Sequence, residues 1–354
     1  MTDRILTAPF PYFGGKASIA EQVWAALGQP KHYLEPFFGS GAVLLARPDY
    51  DPTAHIESVC DADGYLANVW RALQSAPDAV AKVCDWPVNH ADLSARKRRL
   101  VANKEHLLEN LIADVKWFDA ELAGYWIWAA SCWIGSGLTC PSAIPYLGSA
   151  GMGVHKIGKR PHLGSAGMGV HKIGQRPHRG DAGRGVHKIG QIPHMGDAGT
   201  GVQDTYNQNI CDWFRALSER LRYVRVVCGD WSRICGGNWQ DKKGLAGIFF
   251  DPPYSYAERD SVYGATDDFQ VAHTVREWSL KRGELDSYRI VLAGYFEDHE
   301  SLLKHGWTCE KWEANGGYGH IGGSESRGSK NRVKEALFFS PHCLKPAQGG
   351  MFDD

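Results

Sequence analysis

The chain has 354 residues, 43% hydrophobic and 22% charged, with a net charge of −1, the make-up of a globular protein able to bury a full core. That near-neutral balance excludes a polyanion-binding surface spread over the whole molecule, so any nucleic-acid contact is a local patch. No apolar run approaches the roughly 18 residues that cross a bilayer, and MTDRILTAPFPYFGGK lacks the apolar centre of a secretory signal. Nine scattered cysteines without a C-x-x-C pair predict reduced thiols in the cytoplasm and argue against a zinc ribbon.

Residues 1–90 alternate short apolar runs with helical patterns. YLEPF (33–37) reads as a strand, AVLLA (42–46) as an apolar segment, HIESVCDAD (55–63) as a second strand, and YLANVWRAL (65–73) as a helix. Such alternation predicts βαβ units in a parallel sheet. Residues 92–134 read as mostly helix, with a basic run (SARKRRLVANK) and an aromatic end (YWIWAASCWIG). Trp126, Trp128 and Trp133 of that end suit core packing better than base stacking.

The alternating texture returns over 205–340. The amphipathic helix CDWFRALSERL leads to strands RVVC (225–228) and LAGIFF (245–250). A helix near 270–281 follows, then strand RIVLAGYF (289–296) and a late strand KEALFFS (334–340). The expected organisation is one α/β sheet domain from 1–90 and 205–342, with 91–204 inserted and 343–354 as a tail.

The insertion contains an internal repeat with a period of 16 residues: PYLGSAGMGVHKIGKR, PHLGSAGMGVHKIGQR, PHRGDAGRGVHKIGQI and the truncated PHMGDAGTGV. Residues 145–201 hold eight Lys/Arg against two Asp/Glu, six His and fifteen Gly, too much glycine for long helices. Two readings stay open, a duplicated low-complexity loop and a basic segment that follows a phosphate backbone. Metal binding is disfavoured, because the His residues alternate at spacings of seven and nine without Cys or acid companions.

IFFDPPYSY (248–256) ends a buried strand in an acid and two prolines. The carboxyl end of a parallel strand is where α/β ligand sites lie. Asp251 and the Pro252 carbonyl form a rigid acceptor pair, Pro253 removes a second backbone donor, and Tyr254 offers an aromatic face. Two acceptors and a stacking face suit a planar ring bearing an NH₂ group. A strand-end turn with an exposed acid is the plainer alternative. Upstream, EPFFGSGAV has the form strand, acid, Gly-x-Gly turn, helix, and is not the G-x-G-x-x-G dinucleotide fingerprint. CDADG sets Asp61 after the second strand, where an acid suits a ribose diol, and PYFGGK sets a Gly-Gly turn beside Lys16.

In this order PYFGGK, EPFFGSGAV, CDADG, CGDW (228–231) and DPPY resemble the motifs of the adenine-specific DNA methyltransferases of the Dam type. The resemblance covers roughly 8–75 and 205–340. It implies a Rossmann-like sheet using S-adenosyl-L-methionine (AdoMet), with S-adenosyl-L-homocysteine as product and a helical and Gly-rich target-recognition region inserted. Carried over by position, Tyr12, Phe13, Gly14, Gly15 and Lys16 belong to the cofactor set, the last four at its methionine end. Glu35, Pro36, Phe37, Gly39, Ser40 and Gly41 form the cleft, Asp61 holds the ribose, and Asp230 with Trp231 flanks the adenine. Asp251, Pro252, Pro253 and Tyr254 become the catalytic set acting on a flipped-out adenine in double-stranded DNA, with no metal needed.

The 16-residue repeat is no general feature of that family, so the insertion lends no recognition sequence. Candidate DNA contacts are Arg96, Lys97, Arg98 and Arg99 (with Lys104 on the same run), Lys156, Arg160, Lys172, Arg176 and Lys188 in the repeat, and Arg327 and Lys330 in a late Gly-rich loop. An N(4)-cytosine methyltransferase, a methyltransferase acting on an RNA amine or protein amide, and a catalytically silent DNA-binding protein are the rivals. A palindromic target would suit a homodimer, and neither that nor a partner restriction endonuclease can be read from one chain.

Overall fold

The apolar runs of the sequence become strands that need both faces covered, and that requirement organises the molecule. The computed structural model describes residues 6–12, 14–133, 138–140, 164–165, 168–169, 203–237, 244–253, 270–312 and 335–345. In chain order the first elements are α1 (Ala20–Leu27), β1 (His32–Glu35), α2 (Ala42–Leu45), β2 (Ile56–Asp61) and α3 (Gly64–Ser75). A helical stretch follows with α4 (Pro77–Cys84), α5 (His90–Ala102), α6 (Lys104–Ala113) and α7 (Ala120–Cys132). Two two-residue strands, β3 (Gly164–Ser165) and β4 (Met168–Gly169), pair antiparallel inside the repeat; the rest of 145–201 lies outside the described residues. Then come α8 (Gln203–Leu221), β5 (Arg225–Cys228), α9 (Ser232–Cys235), β6 (Ala246–Phe250), α10 (Val271–Gly283), β7 (Tyr288–Tyr295), α11 (Phe296–His299), a 3-10 turn (Glu300–His305), β8 (Thr308–Lys311) and β9 (Glu335–Phe339).

One seven-stranded sheet joins both ends of the chain in the order β5-β2-β1-β6-β7-β9-β8. The first five strands run parallel, and β9 is antiparallel to both β7 and β8. The α/β sheet expected from the sequence is therefore present, with a Rossmann-like parallel centre. Two-residue periodicity divides the strand side chains between two cores. Tyr33, Val59, Phe249, Val291 and Leu337 pack with α1, α3, α4, α5, α7 and α8, while Leu34, Cys60, Ile248, Phe250, Ile290 and Phe338 pack with Trp231, Val275, Leu302 and Trp307.

The helices of 90–132 are built into the first of these cores. Leu93, Leu100, Leu107, Leu111, Trp126 and Trp128 belong to the same cluster as Val59 and Phe249. The starts of α5 and α7 are fixed locally, because Asn89 and Asp119 each accept a first-turn backbone N–H at 2.8 Å, as Asp63 does for α3. The tryptophans at 126, 128 and 133 are all buried, as core packing required. Gly124 lets α7 approach α4 closely, since a Cβ there would lie 2.5 Å from Val83 Cβ.

Candidate active site

The strand order fixes where a ligand site can form. From β1 the chain moves outward to β2 and β5, then returns to the other side of β1 for β6. β1 and β6 thus flank the reversal point, where the carboxyl ends of neighbouring strands open a crevice. Glu35 ends β1, Asp61 ends β2, Asp230 follows β5, and Asp251 follows β6.

The loop after β1 is shaped by glycine. Gly39 and Gly41 have φ of +47° and +62°, in the left-handed region that L side chains rarely adopt. A Cβ on Gly39 would meet Tyr12 Cε1 at 2.7 Å, so the N-terminal loop lies directly on this turn. Three bonds pin the turn from below: Trp70 Nε1 donates to Gly39 O (3.0 Å), Phe38 N to Cys60 O (2.9 Å), and Gly39 N to Asp61 Oδ2 (2.8 Å).

Asp61 therefore holds two loops together, because its Oδ1 also accepts from Asp63 N at 2.9 Å. Burial, and next the nearby Asp63 carboxylate, push its pKa up to about 7, against the pull of the two backbone donors. A carboxyl whose folded pKa lies above its unfolded value of about 4 binds its proton more tightly when folded. The resulting stability is fully present below the unfolded value and is lost as the pH rises through about 7. Asp63 and Glu35 are shifted in the same direction, both mainly by burial. The ligand-free chain should accordingly melt at progressively lower temperature from pH 5 to 8. Asp61→Asn, which keeps an acceptor for one of the two N–H groups, should flatten that slope; an unchanged slope would contradict the assignment.

Glu35 is turned inward and is 2% exposed. Its Oε2 accepts from Tyr33 Oη (2.9 Å) and Leu44 N (3.2 Å), bracing β1 against α2. Burial foremost, with the charge of Asp251 adding to it, holds this carboxyl well above the usual range. Pro36 is buried beside it, while Phe37 and Ser40 are half-buried. Across the crevice Asp230 is exposed and accepts from Ser232 N at 2.9 Å. Trp231 is buried edge-on against Phe250 and Trp278, with centroids 5.9 and 6.1 Å away.

Asp251 is half-buried, Pro252 is buried and Pro253 is half-buried. Lys16 Nζ lies 2.8 Å from Asp251 Oδ2 and donates to Gly14 O at 2.9 Å. Its ammonium also stands 5.9 Å from the centre of the Trp312 ring, at the end of β8. Sequence reasoning missed Trp312, whose only sequence signal was an aromatic residue before the late Gly-rich loop. Phe13 and Tyr254 fall outside the described residues, as do Lys156, Arg160, Lys172, Arg176, Lys188, Arg327 and Lys330.

The basic run on α5 needs correcting. Arg96 and Lys97 do not face outward, because helical spacing puts 93, 96, 97 and 100 on one buried face with Leu93 and Leu100. Arg96 sits over Trp128, Tyr125 and Trp86, 4.4, 4.8 and 5.2 Å from the ring centres, and donates to Val83 O (3.0 Å). Lys97 Nζ donates to Leu138 O and Cys140 O, each at 2.6 Å. Only Arg98 and Arg99 of the four are exposed.

Comparison with known families bears on this crevice. Residues 12–110 match the model of the D12 class N6 adenine-specific DNA methyltransferase family, a span from the N-terminal loop through the Gly39–Gly41 turn and Asp61 into α6. The match ends well before Asp251. Comparison with curated proteins returned no match. The glycine turn and the acid after β2 lie within the matched span and the parallel sheet surrounds it, so over these residues, under a third of the chain, the protein is similar to the D12 class N6 adenine-specific DNA methyltransferases.

Proposed function

We propose that the chain transfers a methyl group from AdoMet to the N(6) amine of an adenine flipped out of double-stranded DNA, with Asp251 and Pro252 holding that amine. The observation that carries the reading is the position of Asp251. It follows β6 at the point where the strand order reverses, beside the strand whose exit loop makes the Gly39–Gly41 turn.

The residues present fit the donor. Asp61 and the exposed Asp230 are acceptors for hydroxyl and amino groups, the half-buried Phe37 presents aromatic surface, and the glycine turn brings backbone close to the crevice. When bound, AdoMet supplies an electrophilic methyl group on a sulfonium. The protein's task is then positioning and polarisation. An adenine amine is a poor nucleophile because its lone pair is delocalised into the ring. The Asp251 carboxylate and the Pro252 carbonyl accept its two N–H bonds, which frees the lone pair and favours the positive charge that grows on nitrogen. Tyr254 stacks on the base, offsetting the few kcal/mol that extrusion costs.

Target recognition falls to the insertion, for which the local basicity of 145–201 is the support, with Arg98 and Arg99 as exposed cations on its helical part. Among the described residues no helix is long and apolar enough to cross a membrane. None of the nine cysteines forms a disulfide, and the cytoplasm, a reducing compartment, suits them.

The test is transfer of labelled methyl from AdoMet to unmethylated genomic DNA, with the product nucleosides identified. N(6)-methyladenine is the expected product. N(4)-methylcytosine would overturn the base assignment, and binding of AdoMet without transfer to DNA would overturn the substrate.

A further inference from the structure

The structure gives Lys16 a contact that its motif did not imply. As part of PYFGGK it was expected at the methionine end of the cofactor. In the structure its side chain is 7% exposed and reaches the other half of the crevice, to Asp251. Three features hold it there: the Asp251 carboxylate at 2.8 Å, the Gly14 carbonyl at 2.9 Å, and the face of Trp312 at 5.9 Å. An ammonium so enclosed has little freedom, and it lies along the direction from which an N–H donor would approach Oδ2.

We propose that Lys16 is a positioning residue for Asp251, which fixes the orientation of the carboxylate that receives the target amine, and not a ligand of the cofactor. This rests on the reading of Asp251 given above. The groups around the carboxylate explain why a cation is needed. Glu35 lies close enough to Asp251 for the Asp251 charge to help hold the Glu35 carboxyl above its usual range. The target amine requires an acceptor at Oδ2, so the carboxylate has to be held in one orientation. Lys16 holds it through the 2.8 Å contact, and the amine then shares or takes over that place on Oδ2. Trp312 limits how far the ammonium can withdraw.

The experiment uses the full chain with Lys16→Met, close in length and uncharged, and Lys16→Arg, which keeps the charge. Affinity for S-adenosylhomocysteine is measured by calorimetry, and single-turnover methylation of unmethylated genomic DNA is followed from pH 6 to 9 at saturating AdoMet. Lys16→Met should keep its S-adenosylhomocysteine affinity within about threefold of the parent while transfer at pH 7.5 falls about 100-fold, the scale set by misplacing a reacting partner. Lys16→Arg should recover at least about tenfold over Lys16→Met, since charge and reach are restored. Weakened S-adenosylhomocysteine binding with an unchanged rate at saturation would make Lys16 a cofactor ligand and overturn the inference, as would a variant equal to the parent in both. A parent chain that binds S-adenosylhomocysteine yet labels no DNA would instead overturn the reading of the site, and this inference with it.

Discussion

Asp251→Asn should lower single-turnover methylation by about 10²–10³-fold, the range found when one preorganised group facing a developing charge is removed. The amide has nearly the same volume and still offers one oxygen, so the fold and the crevice should persist. What it lacks is the negative charge. As the amine attacks, positive charge grows on its nitrogen, and a carboxylate lowers the energy of that state, relative to the resting amine, by more than a neutral amide oxygen does. Because the Asp61 side of the crevice is untouched, S-adenosylhomocysteine affinity should change little. A modest drop in melting temperature is expected, since the largely buried Lys16 ammonium loses its carboxylate at 2.8 Å. Stopped-quench transfer and calorimetry on the same preparation separate the two effects. Equal transfer rates in variant and parent would remove Asp251 from the reaction.

Trp70→Ala should have the largest effect on stability, about 3–5 kcal/mol, as for other fully buried aromatic residues cut back to alanine. Trp70 has no exposed surface, and its ring packs on Phe10 and Phe38 with centroids 5.6 and 5.0 Å away. Its Nε1–H also satisfies Gly39 O at 3.0 Å, so the substitution both opens a cavity and orphans a carbonyl of the strained turn. Trp70→Phe separates these contributions. Most of the packing returns, and the orphaned carbonyl leaves a deficit of about 1–3 kcal/mol. In both variants S-adenosylhomocysteine should bind more weakly, because the turn carrying φ of +47° at Gly39 is no longer held from beneath. Chemical denaturation provides the first measurement and calorimetry the second. A Trp70→Phe variant that binds as tightly as the parent would uncouple the turn from its support.

The parallel centre of the sheet was legible because its strands are short apolar runs cut off by turn residues. HIESVCDAD, RVVC and LAGIFF contain the strands later observed, YLEPF and RIVLAGYF each miss only the first residue of theirs, and KEALFFS contains β9. β8 escaped notice because TCEK is an edge strand, mostly exposed and without an apolar run. α1 and α4 also went unread, each only eight residues long and without a side-chain N-cap bond. The basic run on α5 was read by its charge, although Leu93 and Leu100 already marked the face that Arg96 and Lys97 share. A charge can be buried when aromatic rings and carbonyls surround it, and residues far along the chain supply them here.

The candidate site divides in the same way. Gly39, Gly41, Asp61 and Asp251 could be located from local motifs, because each stands at a strand end. Their pairing could not. Lys16 meets Asp251 only because β1 and β6 are neighbours and the N-terminal loop crosses above them, and Trp312 arrives from the far edge of the sheet. Motif order carries no information about such contacts between distant segments.

The most direct test of the central claim is single-molecule sequencing of DNA from methylation-free cells expressing either the parent chain or Asp251→Asn. The account predicts N(6)-methyladenine at one short sequence motif with the parent chain and its near-complete loss with the variant. Adenine methylation that persists in the variant, or DNA left unmarked by a parent chain that binds AdoMet, would contradict it.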